Sequence, residues 1–548
     1  MKQYLVILFA LVFVVGCNST RNGEDALMHS SAPAMVSEPT ILYDKLSKPA
    51  VTPLPNDGMQ AQPESLIRED EDEEMNTEAY NIIYENAFTD PRSQALSTFS
   101  IDVDRAAYAN IRRFLNDGQA PPVDAVRIEE MINYFNYNYP QPANQHPFSI
   151  NTELAACPWN AQHQLLSIGL QGKTVSNANL PPNNLVFLLD VSGSMNDANK
   201  LPLLKQAFRM LTDGLREQDV VSVVVYAGAA GLVLPPTHGN EKTKILDALS
   251  RLEAGGSTAG GEGIALAYKV AAQNFMKEGN NRIILATDGD FNVGTSSDAE
   301  MERLITEKRK SGVYLSCLGF GGGNYKDSKM ETLADKGNGN YAYIDNENEA
   351  KKVLTKEMGG TLLTIAKDVK IQIEFNPTKV QGYRLIGYEN RLLAAEDFED
   401  DTKDAGELGA GHTVTALYEI IPVGVKTDLV RKSPNLKYQT TDTQATAQQT
   451  NELCTVKFRY KPPQSDKSIE MVHTQNNQPQ TFEQASNNIR FASSVALAGM
   501  LLRKSAYKGT GTYNMARTMA TDAKGEDTEG YRAEFITLID KAKNVSKD

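Results

Sequence analysis

The chain has 548 residues, of which 41% are hydrophobic and 23% are charged, and its formal net charge is −14. This length exceeds what one hydrophobic core normally organises, so we expect two or three domains. The acidic balance argues against a nucleic-acid-binding protein, which needs a basic face, and against adsorption to anionic lipid through a polybasic patch.

The first residues are typical of an exported protein. Lys2 precedes an uncharged, mostly apolar run over residues 4–15, which is too short to span a bilayer and indicates a secretory signal. Cys17 follows this run directly after a glycine, and the segment resembles a bacterial lipobox, whose cysteine is lipidated. We expect residues 1–17 to be a lipoprotein signal peptide with lipidation at Cys17. An ordinary signal peptide with an incidental cysteine is the alternative.

A flexible tether is expected at residues 18–79. This segment contains several prolines, few apolar residues and an acidic run over 69–74, so it cannot bury enough surface to fold. A spacer of this kind would let the folded domains stand away from the membrane. The expected location is the bacterial cell envelope, with membrane contact through the lipid anchor only.

Residues 80–183 are expected to form an N-terminal flanking region of helices and strands. Asp102 and Asp104 lie two apart on a predicted strand, so their carboxylates would share one face. A solvated strand face is the simple explanation, and a calcium site or an acid–base pair is the alternative. The pattern predicts a strand over 97–104, helices over 106–116 and 124–134, and strands near 148–155 and 164–171.

From residue 184 to 364 the chain alternates between apolar strands and amphipathic helices. The uninterrupted apolar run at 185–190 is typical of a parallel strand buried on both faces. This alternation predicts an α/β fold with a doubly wound parallel sheet and helices on both sides. Further strands are expected at 220–226, 282–287, 313–318 and 341–344, and helices around 204–215, at 242–252, over 264–275 with Phe275 on the apolar face, and at about 347–364.

Residues 365–548 are expected to form a β-sheet region with terminal helices near 484–505 and 527–543. Apolar and polar residues alternate over 369–375 and 454–460, which predicts half-buried antiparallel strands. These strands and those at 148–171 each need a partner layer for one apolar face. We therefore expect them to pack together as one β domain into which residues 184–364 are inserted.

An inserted domain has two consequences. A shift of the helix that ends near residue 364 could change the angle between the domains. Cys157 and Cys454 would also share one domain, where a disulfide could form. Cys317, in a buried strand, should be a packed free thiol.

Oxygen-bearing side chains cluster in three loops of the predicted α/β sheet. Asp190, Ser192 and Ser194 come directly after the strand at 185–190. Asp288 follows the strand at 282–287, and Thr258 lies in a glycine-rich loop ahead of a helix. Because ligands bind beyond the carboxyl ends of the strands in such sheets, we expect these side chains to converge.

These residue types favour a hard divalent cation. The carboxylates of Asp190 and Asp288 would neutralise the two charges of Mg²⁺, the expected ion, with Mn²⁺ or Ca²⁺ as alternatives. The hydroxyls of Ser192, Ser194 and Thr258 would add oxygens without adding repulsion. A neutral but coordinatively incomplete site favours a protein ligand that offers a carboxylate to the metal.

The sequence also resembles a known family. Asp-x-Ser-x-Ser, a threonine and Thr-Asp-Gly, in this order, resemble the metal-ion-dependent adhesion site of von Willebrand factor A domains, and all five positions are intact. Further segments look like a bacterial lipoprotein subfamily with its own N-terminal and C-terminal flanking regions. The resemblance implies binding and adhesion, often with a shift of the last helix coupled to metal ligation. The segments that carry the subfamily resemblance are 97–104, 114–118, 127–135 and 285–294.

Other functions stay open at this point. A metal-assisted hydrolase of the cell envelope would need a general base near the ion, and Glu262 is the spare carboxylate of these loops. A scaffold that has lost its metal is a third alternative. The spacing after Asp288 departs from a calcium-binding EF-hand loop, and residues 319–323 lack the Gly-Lys-Ser/Thr ending of a phosphate loop. We expect an exported, lipid-anchored binding protein that is not an enzyme.

Overall fold

The computed structural model describes residues 78–101, 104–176, 180–257, 260–289, 298–323, 325–357, 363–403, 405–430 and 445–546. All of them belong to one unit, which extends from Glu73 to Asp548. The predicted signal peptide, Cys17 and the tether up to residue 77 lie outside the described residues. Among the helices described, none is both long and apolar enough to cross a membrane.

The N-terminal flanking region begins with strand β1, which ends at Ser100, earlier than predicted. The chain leaves the sheet there to enter the first helix, and Asp104 is buried, where its Oδ1 accepts a hydrogen bond from the Tyr341 amide at 2.8 Å. The prediction that Asp104 lies on a solvated strand face is therefore wrong, and Asp102 lies outside the described residues. The elements are β1 Leu96–Ser100, α1 Ala106–Asn116, α2 Ile128–Asn133, β2 Phe148–Ala156 and β3 Gln164–Gly172.

The central part of the chain forms the predicted α/β sheet, in the order β6-β5-β4-β7-β8-β9. Neighbouring strands are parallel except β6, which is antiparallel to β5. The sequence does not predict β6, because this edge strand is mostly exposed and contains Pro235 and Pro236. The strands are β4 Asn183–Asp190, β5 Val220–Tyr226, β6 Ala230–His238, β7 Asn280–Thr287, β8 Val313–Phe320 and β9 Tyr341–Ile344.

Helices cover both faces of this sheet. On β4, Leu185, Phe187 and Leu189 point into one core and Val186 and Leu188 into another, as expected for a strand buried on both sides. The predicted doubly wound fold is confirmed. The helices are α3 Leu201–Gly214, α4 Lys242–Ser250, α5 Gly260–Gln273, α6 Asp298–Arg309, α7 Asp327–Lys336 and α8 Glu347–Lys351, with a π-helical segment over Lys352–Glu357.

Two helix predictions in this region need correction. Helix α5 ends at Gln273, so Phe275 lies beyond the helix and 44% of its surface is exposed. The expected helix over 347–364 is the short α8 with its π-helical continuation, since β10 already begins at Thr364. Residues 358–362 lie outside the described residues, and a shift of this helix stays a prediction.

The strands on either side of the α/β region form two facing sheets, β12-β1-β10-β15-β16 with β13 on β10, and β11-β14-β3-β2. Strand β3 pairs with β14 in register, with Ile168 opposite Ala416, and the two sheets share one apolar core. The predicted insertion of the α/β sheet into a β-rich domain is thus confirmed. These strands are β10 Thr364–Phe375, β11 Val380–Ile386, β12 Leu392–Leu393, β13 Gly406–Gly409, β14 Thr413–Pro422, β15 Glu452–Lys461 and β16 Ile469–Asn476.

The end of the chain is helical and packs on the N-terminal helices. Residues of α1 and α2 share one core with the C-terminal helices. The helix over 513–522 is not predicted from the sequence. The helices are α9 Ala445–Gln449, α10 Asn487–Leu502, α11 Tyr513–Asp522 and α12 Tyr531–Val545.

The three described cysteines are buried free thiols. Cys157 packs in the helical core and Cys454 between the two facing sheets, so the disulfide considered from the sequence is not formed. Cys317 is a packed free thiol of β8, as predicted. Burial raises the pKa of Cys454 to about 12, which keeps this thiol protonated and unreactive.

Candidate metal centre

The carboxyl ends of β4 and β7 bring two aspartates to one edge of the α/β sheet. The two strands are parallel neighbours with Leu189 opposite Ala286. Asp190 is therefore level with Thr287, and Asp288 follows immediately. Both aspartates have no solvent-exposed surface. Because unpaired buried charge is costly, two adjacent carboxylates at this depth need a cation or a dense set of hydrogen bonds.

Asp190 accepts hydrogen bonds from neutral donors only, within the described part of the chain. Its Oδ1 accepts from the Ser192 amide at 2.9 Å. Its Oδ2 accepts from the Thr287 hydroxyl at 2.8 Å and the Tyr226 hydroxyl at 3.2 Å. Burial, and the nearby charge of Asp288, raise the pKa of Asp190, although hydrogen bonds from Ser192 and Thr287 lower it. The negative charge of Asp190 thus has no built-in counter-ion among these residues.

The two predicted serines lie beside Asp190 in the loop after β4. The Ser192 and Ser194 hydroxyl oxygens are 3.1 Å apart. Ser192 is buried and Ser194 is exposed, so the pair leads from the carboxylates toward solvent. Hydroxyls this close can both coordinate one small ion.

The second loop is tied to the first by backbone hydrogen bonds. The Gly255 amide donates to the Val191 carbonyl at 2.8 Å, and the Gly193 amide donates to the Gly256 carbonyl at 3.1 Å. Gly256 has φ +83°, a conformation that glycine adopts without strain. Thr258 itself lies outside the described residues. Gly256, two residues before Thr258, is nevertheless in direct contact with the loop that carries Ser192 and Ser194.

A lysine that the sequence did not single out also reaches this site. Lys200 precedes α3, and its Nζ lies 3.2 Å from Asp288 Oδ2 and 3.0 Å from the Ser194 carbonyl oxygen. A lysine at the start of an amphipathic helix is normally expected to be solvated, so the sequence gave no reason to place it here. Asp288 and Asp190 therefore have different surroundings.

The donor set fits a hard divalent cation. Two buried carboxylates match the charge of Mg²⁺, and adjacent serine hydroxyls provide neutral oxygens. Within the described ranges there is no cluster of three or more His, Cys, Asp or Glu side chains arranged for a metal. Asp190, Ser192, Ser194 and Asp288 would hold the ion, and Thr258 stays a predicted ligand.

The other sequence motifs have simpler explanations or remain untested. Gly319 is part of β8, and Gly321 and Gly323, which follow the strand, have positive φ, with Gly321 beside Lys200. Glu262, the spare carboxylate considered as a general base, is exposed on α5. Residues 290–297, which contain the rest of the EF-hand-like spacing, lie outside the described residues.

Family models match almost all of the described chain. The von Willebrand factor type A domain model matches residues 184–356. A model described as von Willebrand factor matches residues 74–167, and the model for the C-terminal region of the uncharacterized protein YfbK matches residues 360–545. The three matches follow one another along the chain in the order of the flanking and central regions described above.

Relatives extend over the same regions. The chain is 44% identical to the uncharacterized protein YfbK of Escherichia coli over 477 residues, 86% of this chain and 82% of that protein. It is 31% identical to the uncharacterized protein sll0103 of Synechocystis over 185 residues, 34% of this chain and 43% of that protein. A solved structure, von Willebrand factor type A from Catenulispora acidiphila, is 17% identical with a TM-score of 0.39, and the match covers 72% of this chain and 91% of that one.

Proposed function

Because the chain belongs to the family of the Escherichia coli protein YfbK and contains a von Willebrand factor type A domain, we propose that it binds a partner protein through a Mg²⁺ ion held by Asp190, Ser192, Ser194, Thr258 and Asp288. The domain itself indicates a protein-interaction or adhesion function. The metal, the partner's chemistry and the location in the cell are our proposals.

The observation that supports metal binding best is the environment of Asp190. This carboxylate is fully buried, lies beside a second buried aspartate, and takes hydrogen bonds from neutral donors in the described chain. A divalent ion would supply the missing positive charge, while Thr287 and Tyr226 keep the carboxylate oriented.

The proposed ligand is a carboxylate of the partner protein. Two aspartates cancel the charge of the ion, so a further anionic ligand would bind only at a coordination position that the chain leaves open. Ser194 is exposed, and its hydroxyl marks the side of the site from which a partner could approach. A binding role is favoured over hydrolysis because the von Willebrand factor type A domain indicates a protein-interaction function.

We predict that Asp190→Ala abolishes Mg²⁺ and Mn²⁺ binding with little change in fold, since β4 and its neighbours hold the loop. Isothermal titration of both ions into the wild type and the variant checks this, with circular dichroism as the control for folding. Affinity capture of envelope proteins with and without a chelator then tests partner binding. Unchanged metal affinity in the variant would contradict the site, and metal-dependent turnover of a substrate would favour a hydrolase.

We also propose that Cys17 carries a lipid that anchors the protein in the cell envelope. Several acyl chains are enough for stable anchoring, unlike a single chain. Cys17→Ser should abolish incorporation of labelled fatty acid and release the exported protein from the membrane fraction, because a hydroxyl cannot form the thioether. A wild-type protein that stays in the soluble fraction without detergent would contradict the anchor.

A further inference from the structure

We propose that Lys200 is an internal counter-ion of the metal site, which holds Asp288 when no divalent ion is bound and must leave Asp288 before the ion can bind. This role rests on the metal binding proposed above. It adds to the proposed ligands a residue that sets the affinity of the site for the metal ion. None of the five proposed ligands supplies a positive charge, and Lys200 does.

The contacts of the ammonium group define this role. Lys200 Nζ donates to Asp288 Oδ2 at 3.2 Å and to the Ser194 carbonyl oxygen at 3.0 Å. The ammonium therefore joins the loop after β4 to the loop after β7, which the divalent ion would also join. The side chain is only 8% exposed, so Lys200 is not a solvated surface lysine whose ion pair would contribute little.

Gly321, in the turn after β8, leaves space for the aliphatic part of the Lys200 side chain. A Cβ at Gly321 would lie 2.5 Å from Cε and 2.6 Å from Cγ of Lys200, so a residue other than glycine would displace the stem. Gly321 also has φ +74°, and its carbonyl accepts a hydrogen bond from the Tyr343 hydroxyl. The turn that resembled a phosphate loop in sequence thus packs against the lysine.

The carboxylate of Asp197 is an alternative ion-pair partner for the ammonium group of Lys200. Asp197 Oδ2 lies 3.5 Å from Lys200 Nζ, and the Asp197 side chain is 68% exposed. The lysine thus lies between a buried acceptor, Asp288, and a solvated one, Asp197. A small rotation of the lysine side chain would strengthen the contact with Asp197 and free Asp288 for the ion.

Electrostatics makes the two cations competitors. An ammonium that remains within a few ångströms of a divalent ion in a buried site is strongly repelled. Both cations would also use Asp288, which has no exposed surface, and removing a positive charge from a buried carboxylate is costly. Lys200 therefore stabilises the metal-free site and weakens metal binding by the cost of its own displacement.

The test compares metal affinity in charge-altered variants of the full-length protein, purified in detergent. Lys200→Met keeps most of the stem and removes the charge, so Mg²⁺ and Mn²⁺ should bind at least about tenfold more tightly by calorimetry. Lys200→Arg keeps the charge and should show no such gain. Lys200→Gln is a second uncharged variant should the methionine variant not fold.

The outcomes separate this inference from the proposed function. If the wild type binds metal and neither uncharged variant binds it more tightly, Lys200 is not a competitor and the metal site stands. If only the uncharged variants bind metal, the competition stands and the metal-dependent function of the wild type falls. If none of the proteins binds metal, both fall.

The role of Asp197 has its own measurement. Asp197→Asn should weaken metal binding more when Lys200 is present than in the Lys200→Met background, because the ammonium loses its alternative partner. A double-mutant cycle measures this coupling. Equal effects in the two backgrounds would show that Asp197 acts only through its distant charge, and the exchange of partners would be wrong.

Discussion

Two regions of the molecule bury carboxylates, and they balance the charge in different ways. Around Arg112 of α1, the protein supplies its own cation: Arg112 pairs with Asp345 at 2.5 Å, with Glu349 at 2.6 Å and with Glu534 at 2.9 Å. At the carboxyl ends of β4 and β7, Asp190 has only neutral hydrogen-bond donors in the described chain, and the ammonium of Lys200 pairs with Asp288.

This difference separates a permanent contact from an exchangeable one. A planar guanidinium that donates to several carboxylates fixes their geometry and is always charged. The Arg112 cluster joins the N-terminal flanking region to the end of the α/β domain and to α12, where a fixed contact is useful. At the candidate metal centre, hydroxyls and a single flexible lysine leave a position that a cation from solution can take. Burial of acidic groups therefore does not by itself indicate a functional site. A functional site is indicated where the protein leaves the positive charge to be supplied from solution.

The largest effect is expected for Arg112→Met, which removes the cation that the buried carboxylates share. Asp345 and Glu349 are almost fully buried, so the variant leaves them uncompensated. We expect the free energy of unfolding to fall by about 3–5 kcal/mol. Chemical denaturation of the wild type and the variant, followed by circular dichroism, measures this loss.

The matched control is Asp190→Asn in the presence of a chelator. Burial disfavours the charged form of Asp190, so removing that charge should lower the free energy of unfolding much less than Arg112→Met does. The comparison between the two regions fails if Asp190→Asn destabilises the metal-free protein as much as Arg112→Met does.

The sequence predicts much of the fold because several strands have unambiguous patterns. The uninterrupted apolar run at 185–190 predicts a strand that is buried on both faces. The strict alternation at 369–375 predicts a strand with one apolar face. Strand β6 escapes prediction because an exposed edge strand needs no apolar pattern. Lys370 and Gln372 lie on the polar face of β10 and are nevertheless buried, since their side chains donate to carbonyls of the 395–400 segment. The burial of these two polar side chains depends on contacts with a segment distant in sequence, which the local sequence pattern cannot indicate.

In the candidate site, too, some residues can be predicted from the sequence and others cannot. Asp190, the serines and Asp288 follow from strand ends, because neighbouring parallel strands deliver their next residues to one edge. Lys200 and Tyr226 do not follow from any motif. Lys200 is recognisable only once the turn at Gly321 is seen to pack against its stem, and Tyr226 only once β5 lies beside β4. Sequence motifs thus identified the proposed ligands but not the groups that surround them.

A smaller effect is expected at Glu407, which combines features of both regions. Like the Arg112 cluster, Glu407 joins the α/β domain to the β-rich domain, because its oxygens accept hydrogen bonds from Asn338 and Thr364, both at 3.0 Å. Like Asp190, it has neutral hydrogen-bond donors, although the charge of Arg282 is near. Burial raises the pKa of Glu407 to about 7, while Thr364 and Arg282 lower it.

Because the pKa of Glu407 is raised in the folded protein, its contribution to stability decreases as the pH rises. Between pH 4.5 and about 7 the unfolded chain releases the Glu407 proton and the folded protein keeps it, so this contribution to stability is complete at low pH and is lost as the pH rises to 7. Because part of the side chain still reaches solvent, we expect on the order of 1–2 kcal/mol rather than the full shift. Glu407→Gln should therefore match the wild type near pH 4.5 and exceed its stability by that amount at pH 8, as measured by urea denaturation across the range. A difference that is constant with pH would mean that the pKa of Glu407 is the same in the folded and the unfolded protein, so that the hydrogen bonds and the charge of Arg282 offset burial at this contact.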